Sequence, residues 1–485
     1  MRRLVLIPVT VLLAAVVGAQ QTLDRAKAPV PGPAPQLRVP AWTKGRLANG
    51  ADLIVSEKHD LPLVSFSITF MRGANQVEPA AKRGLAGVTA AMLLEGTTTK
   101  DGEALSNALQ LLGTSVQTAI GGESGSIRFT ATTAKFEATL AMLADILQNP
   151  TFPEAALERQ RAQRLVALTQ AKAQATAIAG TVFPRVLYGL DHPYGQATTE
   201  ATIKAITRND LVEIHKAYFR PAQALVAVTG DITAARARAS VEKALAGWTS
   251  ALHAEDAAAA TFMYPSPPPP KATTIYLVDR PGAAQSSVAI GIPGPPRNTP
   301  DYYALAVANM MLGGHIQSRL SANIREEKGY SYGVRSSFDF GRGPGAFRAG
   351  GEIVGDKTDL ALVEFMKELK GLQGAKPISD EELTMTKDAL SQRLLGTFGS
   401  VNGIDTAITS IWLQGLPEDY YQQYAKKIAA ITREDVLRVA KQYVDLDHLA
   451  IVIVGDRKSI EAGLKATGIA PIVILDTSGN PGGTQ

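Results

Sequence analysis

ITRNDLVEIHKAYFRPAQALVAVTGD at residues 206–231 and ITREDVLRVAKQYVDLDHLAIVIVGD at residues 431–456 align without a gap at an offset of 225. Ile206, Thr207, Arg208, Asp210, Lys216, Tyr218, Gly230 and Asp231 all recur in the second copy. Each copy begins with a Thr suited to cap a helix N-terminus, continues as an apolar-periodic helix, and after a short loop ends in a continuous apolar strand closed by Gly-Asp. The repeated Tyr218 and Tyr443 read as packing residues and are assigned no chemistry. Two copies of one unit predict two homologous domains. Strands and helices interleave without the regular order of parallel units, which predicts an α+β fold, each domain a mainly antiparallel sheet with helices packed on one face.

Between the copies, four alanines at 257–260 are followed by YPSPPPPKA at 264–272. Successive prolines hold an extended connector, so a Pro-rich linker is expected at 251–271, between an N-terminal domain at 45–250 and a C-terminal domain at 272–470. A flexible tail is expected at 471–485. In the first domain LVSFSITF (63–70) alternates as a half-buried strand does, and helical patterns run over 85–94, 102–112, 135–148, 154–173 and 208–218. GRGPG at 341–345 reads as a hairpin turn and lacks the order of a phosphate-binding loop.

The chain start reads as an address. Arg2 and Arg3 precede an apolar run over 4–17, and Val17-Gly18-Ala19 suits cleavage after Ala19, so 1–19 is expected to be a signal peptide and 20–44 a Pro-rich arm. The run is too short for a transmembrane span, and no later stretch is long and apolar enough for one. A bacterial periplasmic location is expected, with no membrane span after cleavage. The chain has 485 residues, 45% hydrophobic, 19% charged, with no Cys. Its stability must therefore come from packing. The net charge of +4 falls to +2 once Arg2 and Arg3 leave, too little to argue for nucleic acid or an anionic membrane surface as a partner.

The chemistry concentrates in SRLSANIREEKGYSYGV at 318–334, where Arg325 stands seven positions before Tyr332. Leu320 and Ile324 are spaced as a helix core face, Gly329 permits the helix to stop, and Tyr330, Tyr332 and Val334 read as alternate residues of a strand running to Phe340. A guanidinium and a phenol meeting at a helix-to-strand junction are donors suited to a polarised carbonyl oxygen. No Gly-x-Ser-x-Gly elbow or thiol nucleophile is present, and the six His, at 59, 192, 215, 253, 315 and 448, are not paired at helical spacing.

Together with DRPGAAQSSVAIGIPGPPRNTPDYYALAVANMMLGG at 279–314, this segment resembles the C-terminal half of the pitrilysin/insulinase-type zinc peptidases, the inverzincins. The resemblance extends over nearly all of 45–460, including HPYGQATTEATIKAITRNDL at 192–211. It implies that Arg325 and Tyr332 complete an active site from the half facing the zinc. It also places Gly313 and Gly314 in a glycine-rich loop that lets a peptide backbone approach, or, read alone, in a helix C-cap. The family's His-x-x-Glu-His helix corresponds to GLAGVTAAMLLEGT at 84–97. There Gly87 and Ala91 stand at the two His and Ala90 at the catalytic Glu, and the third ligand would fall near Ala167, beside Val166. Zinc needs imidazole, thiolate or carboxylate donors, so no metal is expected in this chain. GTSVQTAIGGESGSIRF at 113–129 occupies the place of the substrate-binding edge strand, with Gln117-Thr118 where the family has Asn-Ala. The resemblance thus implies the non-zinc subunit of a heterodimeric peptidase, inactive alone, with peptide as substrate and zinc in a sibling subunit. The alternatives are a catalytically inert peptide-binding or assembly protein of the same fold, and an enzyme of another class with an unrecognised site.

Overall fold

The computed structural model describes residues 37–249, 262–268 and 270–482. The expected signal peptide, the arm as far as residue 36, linker residues 251–261 and 269, and the last three residues lie outside the described residues.

Each repeat builds one six-stranded sheet. The first has the order β1 (Thr43–Arg46), β2 (Asp52–Glu57), β6 (Ala224–Gly230), β3 (Leu63–Phe70), β5 (Gly125–Thr132), β4 (Gln117–Ile120), with only β2 and β6 parallel. The second has the order β12 (Ile472–Leu475), β7 (Thr274–Asp279), β11 (Ala450–Gly455), β8 (Gln285–Pro293), β10 (Ala346–Val354), β9 (Ser331–Phe338). There β7 pairs in parallel with both β11 and β12, and the remaining pairs are antiparallel. The apolar runs of the repeat become β6 and β11, buried along their whole length near the middle of each sheet. The two edges β4 and β9 hold equivalent places. Residues 472–475, expected within a flexible tail, instead form β12, because the apolar run IVIL extends the sheet and buries Leu475.

In chain order, the helices around the sites are α1 (Leu85–Met92), α2 (Glu154–Ala171), α3 (Ala175–Tyr188), α4 (Arg208–Tyr218), α5 (Tyr302–Asn309), α6 (Asp380–Thr397), α7 (Val401–Gln414), α8 (Tyr420–Ala429) and α9 (Arg433–Tyr443). The repeated helices α4 and α9 start on reciprocal capping boxes. The Thr207 N–H donates to Asp210 Oδ2 at 2.8 Å and the Asp210 N–H returns to Thr207 Oγ1 at 3.4 Å; Thr432 and Asp435 do the same at 3.0 and 3.2 Å. Tyr218 is buried, its hydroxyl donating to the Arg72 carbonyl, while Tyr443 is half-buried and donates to Asp301.

The two halves exchange one helix each. α3, from the N-terminal half of the chain, lays Ile178, Val182, Phe183 and Leu187 against Val278, Val452 and Val454 of the second sheet. Gly291 of β8 makes room for it, since a Cβ there would stand 2.6 Å from Phe183 Cζ. Reciprocally, α7 packs on β3 and β6 of the first sheet and donates from Trp412 Nε1 to Asp52 Oδ2 at 2.9 Å. Each sheet is thus covered on its second face by a helix from the other half, so neither half closes its core alone. The 341–345 segment is the expected β9–β10 connection, and it also clamps the halves together: Glu123, in the β4–β5 turn, accepts from the N–H groups of Arg342 and Gly343 at 2.8 and 3.2 Å and from the Tyr194 hydroxyl. The Arg342 guanidinium donates to the carbonyls of Glu123 and Met71.

Candidate functional site

Arg325, Tyr332, Gly313 and Gly314 line one cavity of about 450 Å³ at the β9 edge of the second sheet. Arg325 lies in a wide turn of π-helix, Ser321–Glu327, that ends with Gly329 at φ +66°. The Tyr330 N–H closes this turn on the Ile324 carbonyl at 2.9 Å and sends the chain into β9. The guanidinium carbon sits 5.6 Å from the centre of the Tyr332 ring, within cation–π range, and Nε is 3.4 Å from Glu326.

The simple alternation read from Tyr330, Tyr332 and Val334 does not hold. Val334 pairs with Gly351 and Ser331 with Ile353, so Tyr332 and Gly333 together oppose the single residue Glu352. This is a β-bulge, held by the Ser331 hydroxyl, which donates to the Glu352 carbonyl at 2.6 Å and accepts from the Gly333 N–H at 3.0 Å. Ser331 and Val334 point inward on either side, and Tyr332 is turned out, 88% exposed. Alternation ends at the bulge because the extra residue shifts the pleat by one.

Gly313 and Gly314 close a π-helical turn, Met310–Gly314, that follows α5. A Cβ on Gly313 would stand 2.4 Å from the Ser336 nitrogen, so this glycine is required by the contact of its turn with β9. His315, which follows directly, lines the same cavity and was passed over in the sequence because it has no second His at helical spacing. Its Nδ1 accepts from the Gln317 N–H at 3.1 Å, which leaves the proton of the neutral ring on Nε2, a buried atom with no partner. Burial lowers the His315 pKa and favours that neutral form. The cavity thus gathers donors, the Arg325 and Arg335 guanidiniums, a phenol and an imidazole N–H, and no carboxylate lines it. Such a set suits an oxygen gaining negative charge.

The zinc positions have the opposite character. Gly87 and Ala91 are half-buried, Ala90 is buried and Ala167 is exposed. Arg164, one turn before Ala167 on α2, donates from Nη2 to the Gly87 carbonyl at 2.8 Å, and the Thr118 hydroxyl of β4 donates to the Ala90 carbonyl at 2.6 Å. A guanidinium beside the first ligand position adds positive charge where a dication would need lone pairs. Glu95, the one acid of the segment, is paired with Arg159 and accepts from Gln160 at 2.8 Å. Among the described residues no three His, Asp or Glu come together as a metal site. The donor set does not fit zinc. Elemental analysis of the purified chain should find no stoichiometric zinc, and the chain alone should cleave no peptide. Restoring function by Gly87→His, Ala90→Glu and Ala91→His should fail without Ala167→Glu, because two imidazoles leave a catalytic zinc one protein ligand short.

The model described as Insulinase (Peptidase family M16) matches residues 53–186, and that described as Peptidase M16 inactive domain matches 205–390, together more than half of the chain. The chain is 23% identical over 390 residues to an uncharacterized zinc protease of Mycobacterium leprae, covering 78% of this chain and 83% of that protein. It is 23% identical over 411 residues to the non-peptidase homolog YmxG of Helicobacter pylori, covering 84% and 92%. Among solved structures, the peptidase M16 inactive domain from Pseudomonas fluorescens superposes with a TM-score of 0.76 at 24% identity, covering 85% of this chain and 98% of that one. A protease from Helicobacter pylori superposes with a TM-score of 0.75 at 17% identity, covering 86% and 99%. Paired six-stranded sheets, an Arg/Tyr cavity and an alanine-filled zinc helix therefore meet in one chain, which belongs to the insulinase (peptidase M16) family as a degenerate member.

Proposed function

We propose that this chain is the non-zinc subunit of a periplasmic heterodimeric zinc peptidase. It pairs with a sibling carrying His-x-x-Glu-His, which holds the zinc, and gives Arg325 and Tyr332 to the carbonyl of the peptide being cut. The observation that carries this reading is an asymmetry: donors converge in the second half of the chain, while glycine and alanine fill every zinc position of the first. Fixed donors act on the charge that grows on a carbonyl oxygen as it becomes tetrahedral, and they need a nucleophile from elsewhere. β9 is an edge strand, hydrogen-bonded to β10 alone, and such an edge suits an extended peptide. Export rests on the leader pattern at 1–19.

A second reading draws on the Helicobacter relative named a non-peptidase homolog. On it the chain holds peptides or docks an assembly without hydrolysis, and the Arg/Tyr pair is a remnant. Co-expression with the His-x-x-Glu-His sibling, followed by sizing and a peptide assay, separates the two. The heterodimer reading expects a one-to-one complex that hydrolyses peptide when neither chain does so alone. A sibling equally active without this chain, or a chain that stays monomeric beside it, removes that reading.

A further inference from the structure

A second cavity, of about 780 Å³, lies in the C-terminal half between the second sheet and helices α5, α6 and α8. Four arginines line it, Arg297, Arg335, Arg348 and Arg393, and no carboxylate does. Arg348 is neutralised from outside the lining by Asp339 at 3.1 Å. Arg297, Arg335 and Arg393 have no ion pair among the described residues.

Arg297 is the unusual one. It is 9% exposed, and its guanidinium carbon lies over the Tyr302 ring, 3.3 Å from the centre, with the centre of the Tyr420 ring at 5.1 Å. Its Nη2 is buried without a hydrogen-bond partner. Two aromatic rings attract a cation but accept none of its in-plane N–H bonds, so a buried guanidinium held only this way is left short of an acceptor. A carboxylate lies in the plane of a guanidinium and accepts two of those bonds at once. Besides the arginines, Asn309 and a few hydroxyl side chains line the wall, and the remainder is largely apolar or aromatic, with Met310, Phe338, Leu390, Leu394, Tyr421 and Tyr424 among its residues. A cavity of this size, with fixed positive charge, no carboxylate and much apolar and aromatic wall, has the character of a small-ligand site.

We propose that this cavity binds a carboxylate carried on an aromatic or bulky apolar body, with Arg297 as the carboxylate receptor. A free organic acid and the C-terminal residue of a peptide share that chemistry. The site is separate from the Arg325/Tyr332 reading and does not depend on a partner subunit, although the two cavities adjoin through Gly313, Gly314 and Arg335.

Calorimetric titration of the full chain without any partner tests it. The probes are 3-phenylpropionate, its neutral amide, inorganic phosphate, and Ala-Ala-Ala-Phe with a free or an amidated C-terminus. Both free carboxylates should bind at least about tenfold more tightly than their amides, because a site built for the charge leaves its donors unpaired against the neutral analogue. Phosphate should bind more weakly than phenylpropionate. A tighter tetrapeptide assigns the site to peptide termini, and a tighter phenylpropionate assigns it to free acids; either supports the shared chemistry. Arg297→Gln should abolish the preference for acid over amide. If that variant does not fold, Leu394→Trp, which places a bulky ring in the apolar wall and keeps Arg297, should weaken binding of both acids at least about tenfold. Equal binding of acid and amide, phosphate matching phenylpropionate, or a preference that survives Arg297→Gln would overturn the proposal.

Discussion

In the proposed heterodimer, Tyr332→Phe should lower kcat by about 10²–10³-fold, the usual loss when one oxyanion donor is removed. The side chain is turned out of β9 by the bulge at Tyr332–Gly333 and is 88% exposed, so no core contact depends on its hydroxyl and complex stability should hardly change. Arg325→Lys should also fail to restore full rate, since an ammonium on a flexible stem does not reproduce the planar fork of donors. Tyr330→Phe is the internal control. Tyr330 stands before β9, is not among the residues lining the cavity, and is held by its backbone, its carbonyl accepting from the Val354 N–H at 2.9 Å. Steady-state kinetics of the three variants with the partner present decides the matter. Equal losses at 330 and 332, or no loss at either, would remove the assigned role.

Asp405→Asn should stabilise the chain at pH 8 and do nothing at pH 4. Asp405 sits on α7 where that helix covers the first sheet, 5% exposed, with Oδ2 accepting from the Ser67 hydroxyl at 2.8 Å and Oδ1 unpartnered. Burial pushes its pKa up to about 7, against smaller lowering effects from Ser67 and Arg128. The folded chain therefore holds this proton more tightly than the unfolded one, whose carboxyl titrates near 4. The resulting stability is fully present below pH 4 and is lost as the pH rises through about 7, amounting to about 3–4 kcal/mol. The amide has the same shape and no charge to bury. Thermal unfolding across pH 4–8 should show the variant's Tm flattened relative to the native chain, the gap opening as pH rises. A gap that stays constant with pH would mean that Asp405 is not the titrating group.

The sequence legible along the chain was of one kind: patterns that close within a few residues. Thr207 and Thr432 cap their helices because a capping box spans only three residues, and β6 and β11 are central because a continuous apolar run cannot be solvated on either face. The absence of zinc donors at 87, 91 and 167 and of the base at 90 needed no coordinates, because methyl groups and hydrogens have no lone pairs in any fold. The spacing of Arg325 and Tyr332 across one turn was enough to bring them to one cavity.

What tertiary structure decided rests on contacts between distant residues or on small departures from regular geometry. α3 and α7 each belong in sequence to one half, yet each covers the other half's sheet, and Ser67 meets Asp405 across 338 positions. The aim of Tyr332 depends on one extra residue against β10, which an alternating pattern does not record. Arg297 looks like any loop arginine until Tyr302 and Tyr420 close over it. Local sequence determined which elements form and which chemistry is absent, since those are properties of single turns and single side chains. Packing determined what each surviving polar group faces, because burial and charge balance belong to the whole fold.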